Sequence, residues 1–289
     1  MGGGTWTSVA FNAYTTSTKG MNAVNYATYS DLKVQEAFKM NFIHKDLDPK
    51  NVMRECLDTE EHPHTVPVIL ALDVTGSMGK AAMEVSKKLG MIMEEIYESG
   101  KIEDVEFCIM AIGDLYCDRA PVQISQFESD IRIAEHLDKV YFEGGGGGNA
   151  YESYTAAWYM GLNHCKLDCW KRGQKGIIIT MGDEKINPYL QMDEINHFIG
   201  DSLQANVETA ALFDEASEKF DIHHISVDDQ ASSYSRYNRS GAIDNSWRPV
   251  LGENYHVSTI DGLRKMISGI ITGCTQNNAT TWTSKGISW

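Results

Sequence analysis

Val66-Pro67-Val68-Ile69-Leu70-Ala71-Leu72-Asp73-Val74-Thr75-Gly76-Ser77-Met78-Gly79 is the stretch that decides the fold. From Val66 to Leu72 no side chain is polar, which is the length and composition of a strand buried on both faces; Asp73 ends the run. Downstream, Ala82, Met83, Val85, Leu89, Met91, Ile92, Met93 and Ile96 recur at helical spacing, and Gly100 supplies a stop, so Lys80 to Ser99 is predicted as a helix. The opening unit is therefore strand, loop, helix.

Outward from that unit the alternation continues. Val105–Ile112 is a second buried strand, Val122–Phe127 an alternating edge strand and Asp130–Val140 a short helix. After the glycine run Gly144–Gly148, helix is predicted from Tyr151 to Cys165, strand over Gly176–Thr180, one or two helices within Met192–Lys219, and strand over Ile222–Val227. A polar loop from Asp228 to Ser246 leads to a short element at Trp247–Leu251, strand Tyr255–Ser258 and a closing helix Ile260–Ile271. Strands separated by helical segments imply a doubly wound α/β domain: a mostly parallel central sheet with right-handed crossovers and helices on both faces. Ligands of such sheets sit beyond the C-terminal strand ends.

The boundaries follow from composition: an N-terminal extension over 1–62, the α/β domain over 63–273 and a C-terminal arm over 274–289. Thr5-Trp6-Thr7-Ser8 recurs as Thr281-Trp282-Thr283-Ser284, so the ends are expected to be extended arms, either flexible tails or β-prone segments that pair with each other or with a second subunit.

Asp73, Thr75 and Ser77 stand on alternate positions of a loop between strand and helix. One carboxylate and two hydroxyls make a hard-oxygen set suited to Mg2+ or Mn2+, with little charge and room for water or an outside carboxylate. In this context Asp73-Val74-Thr75-Gly76-Ser77 resembles the metal-ion-dependent adhesion site of von Willebrand factor A-type (vWA) domains, and the resemblance extends over about Pro63 to Gly273. It implies that Thr75 and Ser77 touch the ion directly and that Asp73 acts mainly through water. The family's third ligand, a Thr on a glycine-containing loop, falls near Gly148, where glycine has no donor atom; Asn149 or Glu152 is the expected substitute. Its last ligand, an Asp after the fourth main strand, is assigned to Asp183 in Thr180-Met181-Gly182-Asp183-Glu184, with Glu184 as the alternative. Asp114, ending the second buried strand, can reach the same sheet edge.

By the same resemblance the expected function is divalent-metal-dependent protein binding, in which an acidic side chain of the partner completes the coordination. The chain resembles intracellular bacterial or phage-type vWA proteins, which implies a cytoplasmic partner such as an AAA+ ATPase. The other reading is a structural or assembly subunit whose arms make subunit contacts, as a homo-oligomer.

Composition narrows the field. A net charge of −15 opposes binding to nucleic acid and to anionic membrane surfaces. No run approaches the ~20 apolar residues of a membrane span, and no basic segment followed by an apolar one opens the sequence, so neither span nor secretion signal is expected. The six cysteines form no Cys-x-x-Cys pair, consistent with reduced thiols in a cytoplasm; His164, Cys165 and Cys169 are expected on one helix as packing residues. Gly76-Ser77-Met78-Gly79-Lys80 has the wrong spacing for a phosphate loop, and Ala81 follows the lysine. His62 and His64 precede the first strand and so fall at the sheet edge opposite the motif. No catalytic constellation is predicted, and the expectation is not an enzyme.

Overall fold

The computed structural model describes residues 4–143, 151–228 and 241–283, with backbone alone over 275–283. The glycine run Gly144–Gly148, Asn149 and most of the Asp228–Ser246 loop lie outside the described residues.

Six strands form the main sheet: β1 (Val66–Asp73), β2 (Val105–Ile112), β3 (Val122–Ile124), β4 (Gly176–Gly182), β5 (Phe220–Val227) and β6 (Tyr255–Ser258). Their spatial order is β6-β5-β4-β1-β2-β3. All pairs are parallel except the edge pair β2–β3. This is the doubly wound order 3-2-1-4-5-6, in which the chain turns back between β1 and β4 and opens a crevice at their C-terminal ends. Asp73 closes β1 and Asp183 follows β4 directly, so the crevice lies between them.

Two apolar layers follow from the two-residue period of the strands. On one side Val68, Leu70 and Leu72 of β1 meet helices α1 (Ser8–Lys19), α3 (Gly79–Glu98), α4 (Arg132–Asp138) and α8 (Leu263–Thr283). On the other, Ile69 and Ala71 meet α5 (Ala156–Asn163), α6 (Thr209–Lys219) and α7 (Ala242–Leu251). Between α1 and α3 in sequence lies the short helix α2 (Ala23–Thr28). Among the described residues no helix is long and apolar enough to cross a membrane.

The chain ends depart from the expected arms. Thr7 is the N-cap of α1, its hydroxyl accepting from the Ala10 N–H at 3.1 Å, and the buried Trp6 ring lies 5.1 Å from Phe11. Phe11 in turn seats against Gly90 of α3, where an added Cβ would come within 2.6 Å of the ring. At the other end α8 runs to Thr283, well past the Ile271 expected from periodicity. Thr, Tyr and Asn favour strand or loop only weakly; capping and burial of Trp6 and Phe11 outweigh that preference. No pairing of the two Thr-Trp-Thr-Ser segments is present among the described residues.

The segment predicted as a helix from Tyr151 to Cys165 is divided. Tyr151–Glu152 is a short strand parallel to Lys185–Ile186, the helix occupies only Ala156–Asn163, and Cys165–Leu167 pairs with Arg54–Cys56. His164, Cys165 and Cys169 therefore do not share a helix face. Both strand pairings join residues far apart in sequence, so no local periodicity announces them.

Candidate functional site

The loop after β1 is drawn tight by its own polar groups. Asp73 is fully buried, and its Oδ1 accepts from the Thr75 N–H at 2.8 Å and from the Thr75 hydroxyl at 2.7 Å. Val74 extends the strand by donating its N–H to the Ile112 carbonyl at 2.9 Å, and Gly76–Met78 makes one 3-10 turn into α3. These bonds hold Thr75 inside the crevice, while Ser77 stays exposed at its mouth. Ser77 Oγ donates to Asp183 Oδ1 at 3.1 Å, which brings the loop after β1 and the loop after β4 together across the switch point.

The far oxygen of Asp73 is held by a residue that the sequence reading did not single out. Tyr154 donates its hydroxyl to Asp73 Oδ2 at 2.8 Å and accepts from the Glu184 N–H at 3.2 Å. Fully buried, Tyr154 packs against His224 (5.1 Å between ring centroids) and Trp247 (5.6 Å). Trp247 of α7 stacks on His224 at 3.7 Å and donates its indole N–H to the Glu184 carbonyl at 3.1 Å. The His224 Nδ1 is 2.8 Å from the Thr180 hydroxyl of β4. A Tyr–His–Trp stack thus fixes both Asp73 and the backbone of the loop carrying Asp183 and Glu184. The only sequence signal for it was a Tyr inside a predicted helix and a Trp in a short element of undefined type, which reads as ordinary packing.

Gly182 is required by this stack. A Cβ there would collide with the hydroxyl end of the fully buried Tyr154 ring. Gly182→Ala should displace Tyr154 from Asp73 and cost about 1–3 kcal/mol, the usual range for overpacking a dense interior. Urea unfolding measures it, and an unchanged midpoint would show that the crowding is relieved elsewhere.

Glu152 enters from the short strand beside the crevice. Its side chain is buried, and Oε2 has no hydrogen-bond partner among the described residues. Burial, reinforced by the charges of Asp73, Asp118, Asp114 and Glu184, pushes its carboxyl up to about 10. Burial and the nearby Asp183 raise Asp73 to about 7, against the lowering effect of its bonds to Thr75 and Tyr154. Burial also raises Glu184, with Asp183 adding to it. Several carboxyl groups therefore crowd one crevice, an arrangement that disfavours their charged forms, while Lys185 eases Glu184 in part.

Asp73, Thr75, Ser77 and Asp183 are thus brought together, Glu152 lies close enough to feel Asp73, and Glu184 contributes chiefly its backbone. Asp114 stands to one side: its carboxylate accepts from the Tyr116 N–H at 3.0 Å and from the Cys117 thiol at 3.3 Å. Asn149 lies outside the described residues. Among the described residues no three His, Cys, Asp or Glu side chains are placed to hold an ion by themselves. The donor set does fit a hard divalent cation once the hydroxyls of Thr75 and Ser77 are counted: it is all oxygen, and the orphaned buried Oε2 of Glu152 is the kind of atom a cation would satisfy.

No protein-family model matches the sequence, and no curated protein matches it. Similar solved structures include the open conformation of the pilus adhesin SpaC from Lactobacillus rhamnosus GG, at 12% identity over 79% of this chain, with a TM-score of 0.48. The chain spans 31% of SpaC. The vWF domain of the type V pili tip protein Mfa5 from Porphyromonas gingivalis is 13% identical over 74% of this chain and 96% of its own, with a TM-score of 0.43. BatB from Bacteroides thetaiotaomicron is 13% identical over 73% and 99%, with a TM-score of 0.41. At such scores these likenesses say nothing of the chemistry of the crevice.

Proposed function

We propose that the protein is a divalent-metal-dependent protein-binding module of the vWA type, acting by binding rather than by turnover. The observation that carries the reading is the oxygen-only group formed by Asp73, Thr75, Ser77 and Asp183 at the switch point, with the buried Glu152 carboxyl beside it. Thr75, Ser77, Asp183 and Glu152 would hold Mg2+ or Mn2+, and Asp73 would orient Thr75. The bound ion would supply a positive centre that a partner's carboxylate can meet by displacing water.

The chain's own part is preorganisation. Tyr154 and the Thr75 N–H fix Asp73, so its carboxylate needs no rearrangement before an ion arrives. Ser77, exposed at the mouth, is where a partner side chain would approach. Partners are expected in a reducing compartment such as the cytoplasm, because all six cysteines are unpaired. An AAA+ ATPase is one such partner, by the resemblance of the motif.

Titration with Mn2+ followed by electron paramagnetic resonance tests the site, and water-proton relaxation tests the use made of it. One bound Mn2+ is expected, lost in Asp73→Ala, with a fall in relaxation enhancement when a short glutamate-containing peptide displaces inner water. If Mn2+ binds equally to Asp73→Ala, or relaxation is indifferent to peptide carboxylates, the reading fails.

A further inference from the structure

On the sheet face covered by α8, three polar side chains form one hydrogen-bonded line. His223 of β5 has its Nδ1 3.0 Å from Nε2 of His256 on β6, and its Nε2 3.1 Å from the Cys274 sulfur of α8. The two imidazole planes are within 16° of parallel and their centroids lie 5.3 Å apart. For rings joined by a 3.0 Å bond that separation is close to the largest geometry allows, so they meet edge to edge, each nitrogen aimed at the other. The line runs from a covered end to an open one: His223 and Cys274 are each 7% exposed, whereas His256 is half-buried.

We propose that this line is an acid-operated latch, which ties the Cys274 turn of α8 to the sheet while both imidazoles are neutral and releases it as both take up protons. Counting hydrogens gives the reason. With neutral rings, the thiol can donate to His223 Nε2 and His223 Nδ1 to His256 Nε2, so every contact pairs a donor with an acceptor. One added proton is tolerated, because the line can reverse and the sulfur accept. A second sets N–H against N–H at the 3.0 Å contact and places two cations side by side. Among the described residues no carboxylate offsets that charge. On this face β4 presents Ile177 and Ile179, and α8 presents Ile267, Ile270 and Ile271. Of the charged groups, Asp221 stands two residues before His223 and lies 4.0 Å from Lys175; on α8, Arg264 is paired with Glu95 of α3, and Lys265 sits beside it in the first turn. Asp221 helps to raise the Cys274 thiol but acts on neither histidine. Burial, and then the charge of His256, lowers His223 to about 4, and burial lowers His256 too. Once released, each ring returns to the ordinary 6.5, so the latch is fully closed above that value and weakens as pH falls towards 4.

Thiol labelling with 4,4′-dithiodipyridine, which reacts in acid as well as at neutrality, reads the latch through Cys274 itself. Rates at each cysteine are resolved by peptide mass spectrometry and divided by those of the urea-unfolded chain at the same pH. Between pH 7 and pH 5 the normalised Cys274 rate should rise about twentyfold from His223 alone, with His256 adding to it. Cys108, fully buried in β2, should stay protected throughout, which separates local release from unfolding. His223→Gln cannot be charged at that position and should remove most of the rise. His256→Gln, at the half-buried end, should keep the fold and lower the pH dependence of release from more than one proton to at most about one. A Cys274 rate that does not rise, an equal rise at Cys108, or an undiminished dependence in His256→Gln would each overturn the proposal.

Discussion

In EDTA the protein should lose about 2 kcal/mol of stability between pH 6.5 and 8.5, and Glu152→Gln should remove most of that loss. Glu152 is the origin. In the unfolded chain its carboxyl is ionised above a model value of 4.5, whereas in the fold burial and the neighbouring carboxylates keep it protonated up to about 10. Over that window the folded state holds more protons than the unfolded state, so stability falls as pH rises. Asp73, raised from 3.8 to about 7, contributes with the same sign but has lost most of its effect by pH 7. Buried histidines act in the opposite direction. Burial lowers His136 and His223 to about 4 from an ordinary value of 6.5, so their contribution is lost on acidification, and its last part, gained as the unfolded imidazoles lose their protons just above pH 6.5, offsets a little of the Glu152 loss.

Divalent metal at the proposed site should oppose this slope, because a cation needs the deprotonated carboxylates and gains affinity as protons leave. The Mg2+-induced rise in stability should therefore be larger at pH 8.5 than at pH 6.5, reaching ~2.7 kcal/mol where free Mg2+ is a hundredfold above its dissociation constant. Urea unfolding with and without Mg2+ at the two pH values measures both effects. A Mg2+ increment independent of pH would remove Glu152 from the site, and a flat EDTA profile would mean that its carboxyl is not held protonated.

The second large effect belongs to Trp247→Ala. The side chain is fully buried among Tyr154, His224 and Trp158, so truncation should cost about 3–5 kcal/mol from lost burial and the cavity left behind. It also removes the indole N–H from the Glu184 carbonyl and the ring that backs Tyr154, the residue holding Asp73. Trp158→Ala is the control: equally buried in the same layer, it should cost a similar amount without freeing the Glu184 carbonyl. At a temperature where both variants remain folded, Trp247→Ala should weaken Mn2+ binding at least about tenfold, ~1.4 kcal/mol, and Trp158→Ala should not. Equal Mn2+ binding by the two would reduce the Tyr–His–Trp stack to packing alone.

The main strands were legible because burial on both faces leaves a continuous apolar run, as in Val66–Leu72 and Val105–Ile112, and the long helix α3 because its apolar positions recur at helical spacing. The Asp73 loop was legible because its donors alternate within five residues. Glu152 was named as a substitute ligand from its place after the glycine run, although the segment around it was read as helix. Its strand conformation comes from pairing with Lys185–Ile186, across a sequence distance that no local pattern spans. The N-terminal region was likewise read as arm-like, because the burial of Trp6 and Phe11 against α3 is invisible in composition.

Sequence alone determined the layered α/β architecture and the place where oxygen donors gather, since both rest on short-range periodicity and on the residue types ending one strand. Tertiary structure alone decided what surrounds those donors. Tyr154 reaches Asp73 from 81 residues away, and Trp247 reaches Glu184 from 63. His223 meets His256 and Cys274 across 33 and 51 residues, because β6 and α8 both fold onto β5. Such contacts come from chain crossovers and close packing rather than from any repeat along the chain, so they are fixed only when the sheet assembles.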